Sequence, residues 1–100
     1  MIQNSTLDIL IAKLSLIVGC IFMHNITPEQ FYTIIGKNVA KYRKDKGLSQ
    51  LELSLQMGYK SVSVISGSEI CYGNKHFNIE QLLKISQILD IDICKFFKQN

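Results

Sequence analysis

The side chains whose type and spacing could do chemistry are a run of cations and one amide. Lys37, Lys41, Arg43, Lys44, Lys46 and Lys60 crowd into residues 31–60 against only Asp45 and Glu52, a local net charge of +4. Residues 1–30 sum to −1, from Lys13 against Asp8 and Glu29, and residues 61–100 hold four charges of each sign. Positive charge gathered in one segment is the footprint of an anion-binding surface. A solvated cationic face is the competing reading of Lys37, Lys41 and Lys46. Gln50 follows Ser49 at what reads as a helix start. Free amides and the positive end of the helix dipole favour an anion there.

Catalysis has no comparable support. No nucleophile lies at helical or turn spacing from a His and an acid, no glycine loop is built to cradle phosphate, and no carboxylates pair in a recognisable context. Glu69 reads as a helix-packing residue and Glu80 as a first-turn acid. Cys20, Cys71 and Cys94 are odd in number and widely spaced. That disfavours a disulfide framework or a zinc site and fits reduced thiols in a cytoplasmic protein. His24 and His76 lack ligand-spaced companions. No catalytic residue, metal or cofactor is therefore expected.

The elements that must position the cations are marked by consistent boundary signals. Hydrophobic residues make up 47% of the 100-residue chain and charged ones 19%, the composition of one folded domain with an appended element. Thr27-Pro28-Glu29-Gln30 offers an N-cap, Pro at the first helical position and Gln at the third. Phe31, Ile34, Ile35, Val39 and Tyr42 then recur at helical spacing and should face a core, with Lys37, Lys41 and Lys44 on a separate face. The helix should stop at Gly47. Ser49-Gln50-Leu51-Glu52 is a second capping box opening a helix over roughly 50–57, with Leu51, Leu53, Leu55 and Met57 available for packing, and Gly58 closes it. Ser61 is the expected cap of a third helix running to about Glu69, and residues 73–76 read as a loop. Asn78-Ile79-Glu80-Gln81 opens a fourth helix carrying Leu82, Leu83, Ile85, Ile88 and Leu89. Asp92 caps a last turn with Ile93, Phe96 and Phe97. No stretch alternates with period two, so the fold should be all-α.

Residues 7–23 are apolar nearly all round a helix, with Ser5 and Asp8 resembling its start. Four readings compete. Lys13 leaves residues 14–23 too short to cross a bilayer, which needs about 20 apolar residues. A secretory signal wants cations before the apolar run, and none precedes Lys13. The Ile17-Val18-Gly19-Cys20 run looks like a lipoprotein cleavage box but lies too close to Lys13. There remain a helix that packs on the main domain or on its copy, and an extension upstream of a start at Met23. Packing is favoured. The expected division is an apolar N-terminal helix over 1–26, serving packing or dimerisation, and a second domain over 27–100.

That second stretch resembles the lambda-repressor-like, or Xre-type, helix-turn-helix family. The matching residues are Ile35-Gly36-Lys37 to Tyr42-Arg43-Lys44, then Lys46-Gly47-Leu48-Ser49-Gln50-Leu51-Glu52-Leu53 and Met57-Gly58. Ile65-Ser66 with Glu69, Gly73, Glu80-Gln81-Leu82-Leu83-Lys84-Ile85, Ile88-Leu89-Asp90-Ile91 and Phe96-Phe97 follow in order, so the likeness covers residues 31–97. It implies a five-helix all-α domain that binds double-stranded DNA, here with an extra N-terminal apolar helix. It also implies Gln50 against a phosphate, Arg43 and Lys44 reaching phosphates from the first helix, and a recognition helix in the major groove. A salt bridge is the competing reading of Arg43.

The recognition helix departs from the family pattern. The span from Gly58 to Glu69 is one residue longer than usual, and the loop from Glu69 to Gly73 is two longer. Aligned back from Glu69, Val62, Ser63 and Ser66 point outward and Ile65 is core. Ser68 stands where a large apolar residue is usual, with Ile70 read as its substitute. No Arg, Gln or Asn stands where a bidentate base contact is made. Lys60, Ser61 and Ser63 can hydrogen-bond, and Val62 can meet a thymine methyl.

The leading expectation is a DNA-binding transcriptional regulator, repressor-like or antitoxin-like, acting as a homodimer, with no membrane partner. The alternative is a protein-interaction module that kept the fold and lost base reading, with the apolar N-terminal stretch docking a protein partner. Deleting residues 1–22 should change the oligomeric state in solution if that stretch is an interface. An unaltered number of copies by light scattering would favour the upstream-extension reading.

Overall fold

A computed structural model describes residues 25–99, so the apolar stretch 7–23, and with it nearly all of the expected N-terminal unit 1–26, lies outside the described residues. Those residues form four α-helices: α1 (Pro28–Asp45), α2 (Gln50–Gln56), α3 (Ser63–Glu69) and α4 (Ile79–Leu89), followed by a 3-10 helix (Ile93–Phe97). No strand occurs among them. The domain has four α-helices and this single 3-10 turn where five helices were anticipated.

Three helix starts are capping boxes in which side chain and backbone satisfy each other. Thr27 Oγ1 accepts from Gln30 N while Gln30 Oε1 accepts from Thr27 N. Ser49 pairs likewise with Glu52, and Asn78 with Gln81. α1 and α2 end alike. Gly47 N donates to Lys44 O at 2.9 Å and Leu48 N to Arg43 O at 3.1 Å; Gly58 N donates to Leu55 O at 3.0 Å and Tyr59 N to Ser54 O at 2.9 Å. These paired bonds satisfy the last free carbonyls. They require a left-handed residue, and Gly58, at φ 87°, supplies it at the turn that aims α3.

α3 starts differently from expectation. Val62, not Ser61, precedes its first residue, with no side-chain cap. The Ser61 hydroxyl instead lies 3.0 Å from the Ser63 hydroxyl. Val62, Val64 and Ile65 are stiff and Gly67 is floppy, so α3 has little intrinsic helicity. Tertiary packing must hold it.

The core is Ile35 and Val39 from α1, Leu53 from α2 and Met57 just after it, Ile65 from α3, Phe77, Leu82, Ile85 and Leu89 from α4 and its approach, and Phe96. Leu51 and Leu55, counted among the packing residues, are 49% and 56% exposed, because a seven-residue helix has one buried stripe. Ile70 does not replace Ser68 in the interior. Ser68 is itself buried, and Ile70 is 72% exposed. Asn38 fastens the chain end, donating from Nδ2 to Phe96 O at 2.8 Å and to Lys98 O at 2.7 Å. Gln81 Nε2 donates to Tyr59 Oη, joining the α2–α3 turn to α4.

α1 crosses the end of α3 at Gly36, where the backbones touch. A side chain there would collide with the Glu69 carbonyl and come within 2.9 Å of Ser68 O. Gly36→Ala should therefore lower stability by about 1–3 kcal/mol, the usual cost of overpacking, although alanine favours helix. Urea unfolding measures this, and an equal or higher midpoint would contradict the contact.

Candidate nucleic-acid interface

At the junction of α1, α2 and α3 lies a buried carboxylate. Glu69, at the end of α3, accepts from Arg43 Nε at 2.7 Å, from Arg43 Nη2 at 3.1 Å and from Gln50 Nε2 at 2.8 Å. Arg43 Nη1 donates to Leu48 O at 2.8 Å, tying in the α1–α2 loop. The Arg43 and Glu69 side chains are 7% and 3% exposed. Burial of this degree decides between the two readings of Arg43: it serves the salt bridge and is removed from the phosphate-contacting set.

Gln50 has a divided role. A carboxamide nitrogen carries two hydrogens. One goes to Glu69 and the other remains to be given, from a half-buried side chain that lines a groove of about 600 Å3. Lys37, Lys41, Lys44 and Ile70 line that groove with it. The three lysines are exposed. Lys41 Nζ also lies 4.8 Å from the centre of the neighbouring Tyr42 ring, a cation–π contact.

The start of α2 is less open to an anion than its helix dipole suggests. The Glu52 amide is taken by Ser49 Oγ at 3.0 Å, and the Ser49 amide by Glu52 Oε1 at 3.0 Å. Donation from the Ser49 amide, then the Ser49 hydroxyl, holds the exposed Glu52 carboxyl below the usual carboxylate range. Its folded-state value is depressed, so its contribution to the cap is complete above the unfolded value and fades only as acid titrates it. At neutral pH a carboxylate therefore stands beside α2, and the lysines of α1 supply the cationic wall.

The outer face of α3 carries the remaining sequence candidates. Ser61 and Ser63 are exposed, Val62 and Ser66 half-buried, and Lys60 is exposed in the turn before the helix. Ser66 Oγ is turned back to Ser63 O at 3.4 Å. The face thus presents hydroxyls and a valine, with Lys60 at its near end. Glu69 as the organising residue was only half visible in the sequence, which marked it for packing and left its partner open. The orphan hydroxyl of Ser54, fully buried and without a hydrogen bond among the described residues, had no sequence signal. No cluster of His, Cys, Asp and Glu that could hold a metal occurs among the described residues.

A family model described as helix-turn-helix matches residues 39–96, from the middle of α1 to the 3-10 helix. No curated protein and no solved structure matches the chain.

Removing one member of a buried ion pair strands the other, at a cost of about 3–5 kcal/mol. Glu69→Ala should show that loss in urea unfolding, and Arg43→Met with Glu69→Leu should recover most of it. A single substitution as mild as one on the surface would contradict a desolvated pair.

Proposed function

The chain belongs to the lambda-repressor-like helix-turn-helix family, and we propose that it is a transcriptional regulator that binds double-stranded DNA as a homodimer with α3 in the major groove. The family is one of DNA-binding proteins and not of enzymes. The observation that carries the reading is the shared groove: the lysines of α1 and the amide of Gln50 line one wall system with Ile70, next to the end of α3. A duplex that takes a recognition helix into its major groove runs its backbone past the preceding helix. Lys37, Lys41 and Lys44 neutralise phosphates there, and Gln50 donates its second hydrogen.

Ser61, Ser63 and Ser66 meet base edges as single donors or acceptors, Val62 meets a thymine methyl, and Lys60 meets the adjoining backbone. None is a bidentate reader. Most of the affinity accordingly comes from phosphates, and much of the site preference from the shape of the duplex. A two-fold dimer on a two-fold operator doubles the modest contact set of one copy.

A second reading has its own observation. Ile79 and Leu83, one turn apart on α4, are 67% and 49% exposed, an apolar stripe that would suit a protein partner in an interaction module. In that reading residues 1–26 add a further docking surface and α3 reads nothing.

Titration of a duplex against salt separates the two. Lys44→Ala and Lys37→Ala should each weaken binding on every sequence and reduce the logarithmic salt slope by about 0.9, the value for one neutralised phosphate. Ser63→Ala should instead change preference among sites. An interaction module would bind duplex barely at all at moderate salt.

A further inference from the structure

Gly67 stands on the outer face of α3, four residues from Ser63 and opposite Ile65, yet it is buried. What covers it is Lys75. A carbon added at Gly67 would lie 2.6 Å from Lys75 Cδ, 3.4 Å from Nζ and 3.6 Å from Cε. The backbone builds this cover. Beyond α3 the chain turns left-handed at Cys71, φ 54°, and Tyr72 N donates back to Gly67 O at 2.9 Å. A tight turn through Gly73, φ 62°, then closes with Lys75 N donating to Tyr72 O at 3.1 Å. Two successive reversals thus return residue 75 to residue 67. Among the described residues Lys75 makes no ion pair.

We propose that Lys75 is a DNA-contacting residue of the outer face of α3, its stem laid across Gly67 and its ammonium meeting a backbone phosphate at the edge of the major groove. The loop thereby supplies the cation that residues 61–69 lack. The role explains why glycine, unfavourable inside a helix, occupies a face where serine or alanine would serve α3 better. It also gives work to the lengthened loop, which is long enough to fold back on the helix it leaves. The proposal rests on the DNA-binding reading above and adds one residue to its contact set.

The test titrates a mixed-sequence duplex with the full chain, Lys75→Gln, Gly67→Ala and the double variant at several salt concentrations, and records thermal unfolding of each protein. Lys75→Gln keeps the stem and removes the charge. It should lower affinity roughly fivefold to tenfold near 0.1 M salt and reduce the salt slope by about 0.9, the effect of one phosphate. Gly67→Ala displaces the stem, so it should weaken binding only while Lys75 is present, and the double variant should match Lys75→Gln alone. Unchanged affinity and slope in Lys75→Gln, with the parent chain binding normally, would overturn the assignment and leave the DNA-binding reading intact. A loss of thermal stability with an unchanged slope would also overturn it, placing Lys75 at the helix end as a structural charge. A parent chain silent on the duplex at low salt would overturn both.

Discussion

The arrangement depends on one carboxylate removed from water. Glu69 has two oxygens, and three donors from two other helices meet them, while its backbone carbonyl packs on Gly36. A buried ion pair contributes little net stability by itself, because desolvation offsets the attraction. Its influence is geometric: only one mutual setting of α1, α2 and α3 satisfies all three donors. Gly36 and Arg43 lie two turns apart on the same side of α1, so the α3 terminus is gripped by a close backbone contact at one point and an ion pair at the other.

This grip supplies what α3 lacks in its own sequence. Seven residues with two β-branched members and a glycine have no reason to be helical in isolation. Ile65 in the core, the Glu69 cluster and the loop bond to Gly67 hold it from three directions. The helix that matters most to the interface is therefore the most dependent on its neighbours.

How much of this was legible follows from the range of each interaction. The capping boxes at Thr27, Ser49 and Asn78 are local and reciprocal, so spacing alone announced them, as did the glycine stops at Gly47 and Gly58. The core stripe of α4 followed from helical periodicity. Arg43 could not be placed from sequence, since phosphate and Glu69 are both anions and only the fold, across 26 residues, decides between them. The start of α3 was misplaced because Ser61 has the chemistry of a cap and spends it on Ser63. Ile70 was assigned inward by analogy, but the left-handed step at Cys71 carries the chain outward just beyond it. Lys75 was invisible for the same reason: its neighbour is created by two turns, not by spacing.

The touching backbones at Gly36 have a consequence for how such a protein can diversify. Helices spaced by side chains can be re-angled by exchanging those side chains, a little at a time. Helices that meet main chain to main chain have no spacer to exchange. The offset between the cationic rim of α1 and the outer face of α3 thus behaves as a fixed gauge, set by the backbone contact itself. New preferences can arise by changing what the jaws carry, while the width of the jaws stays the same.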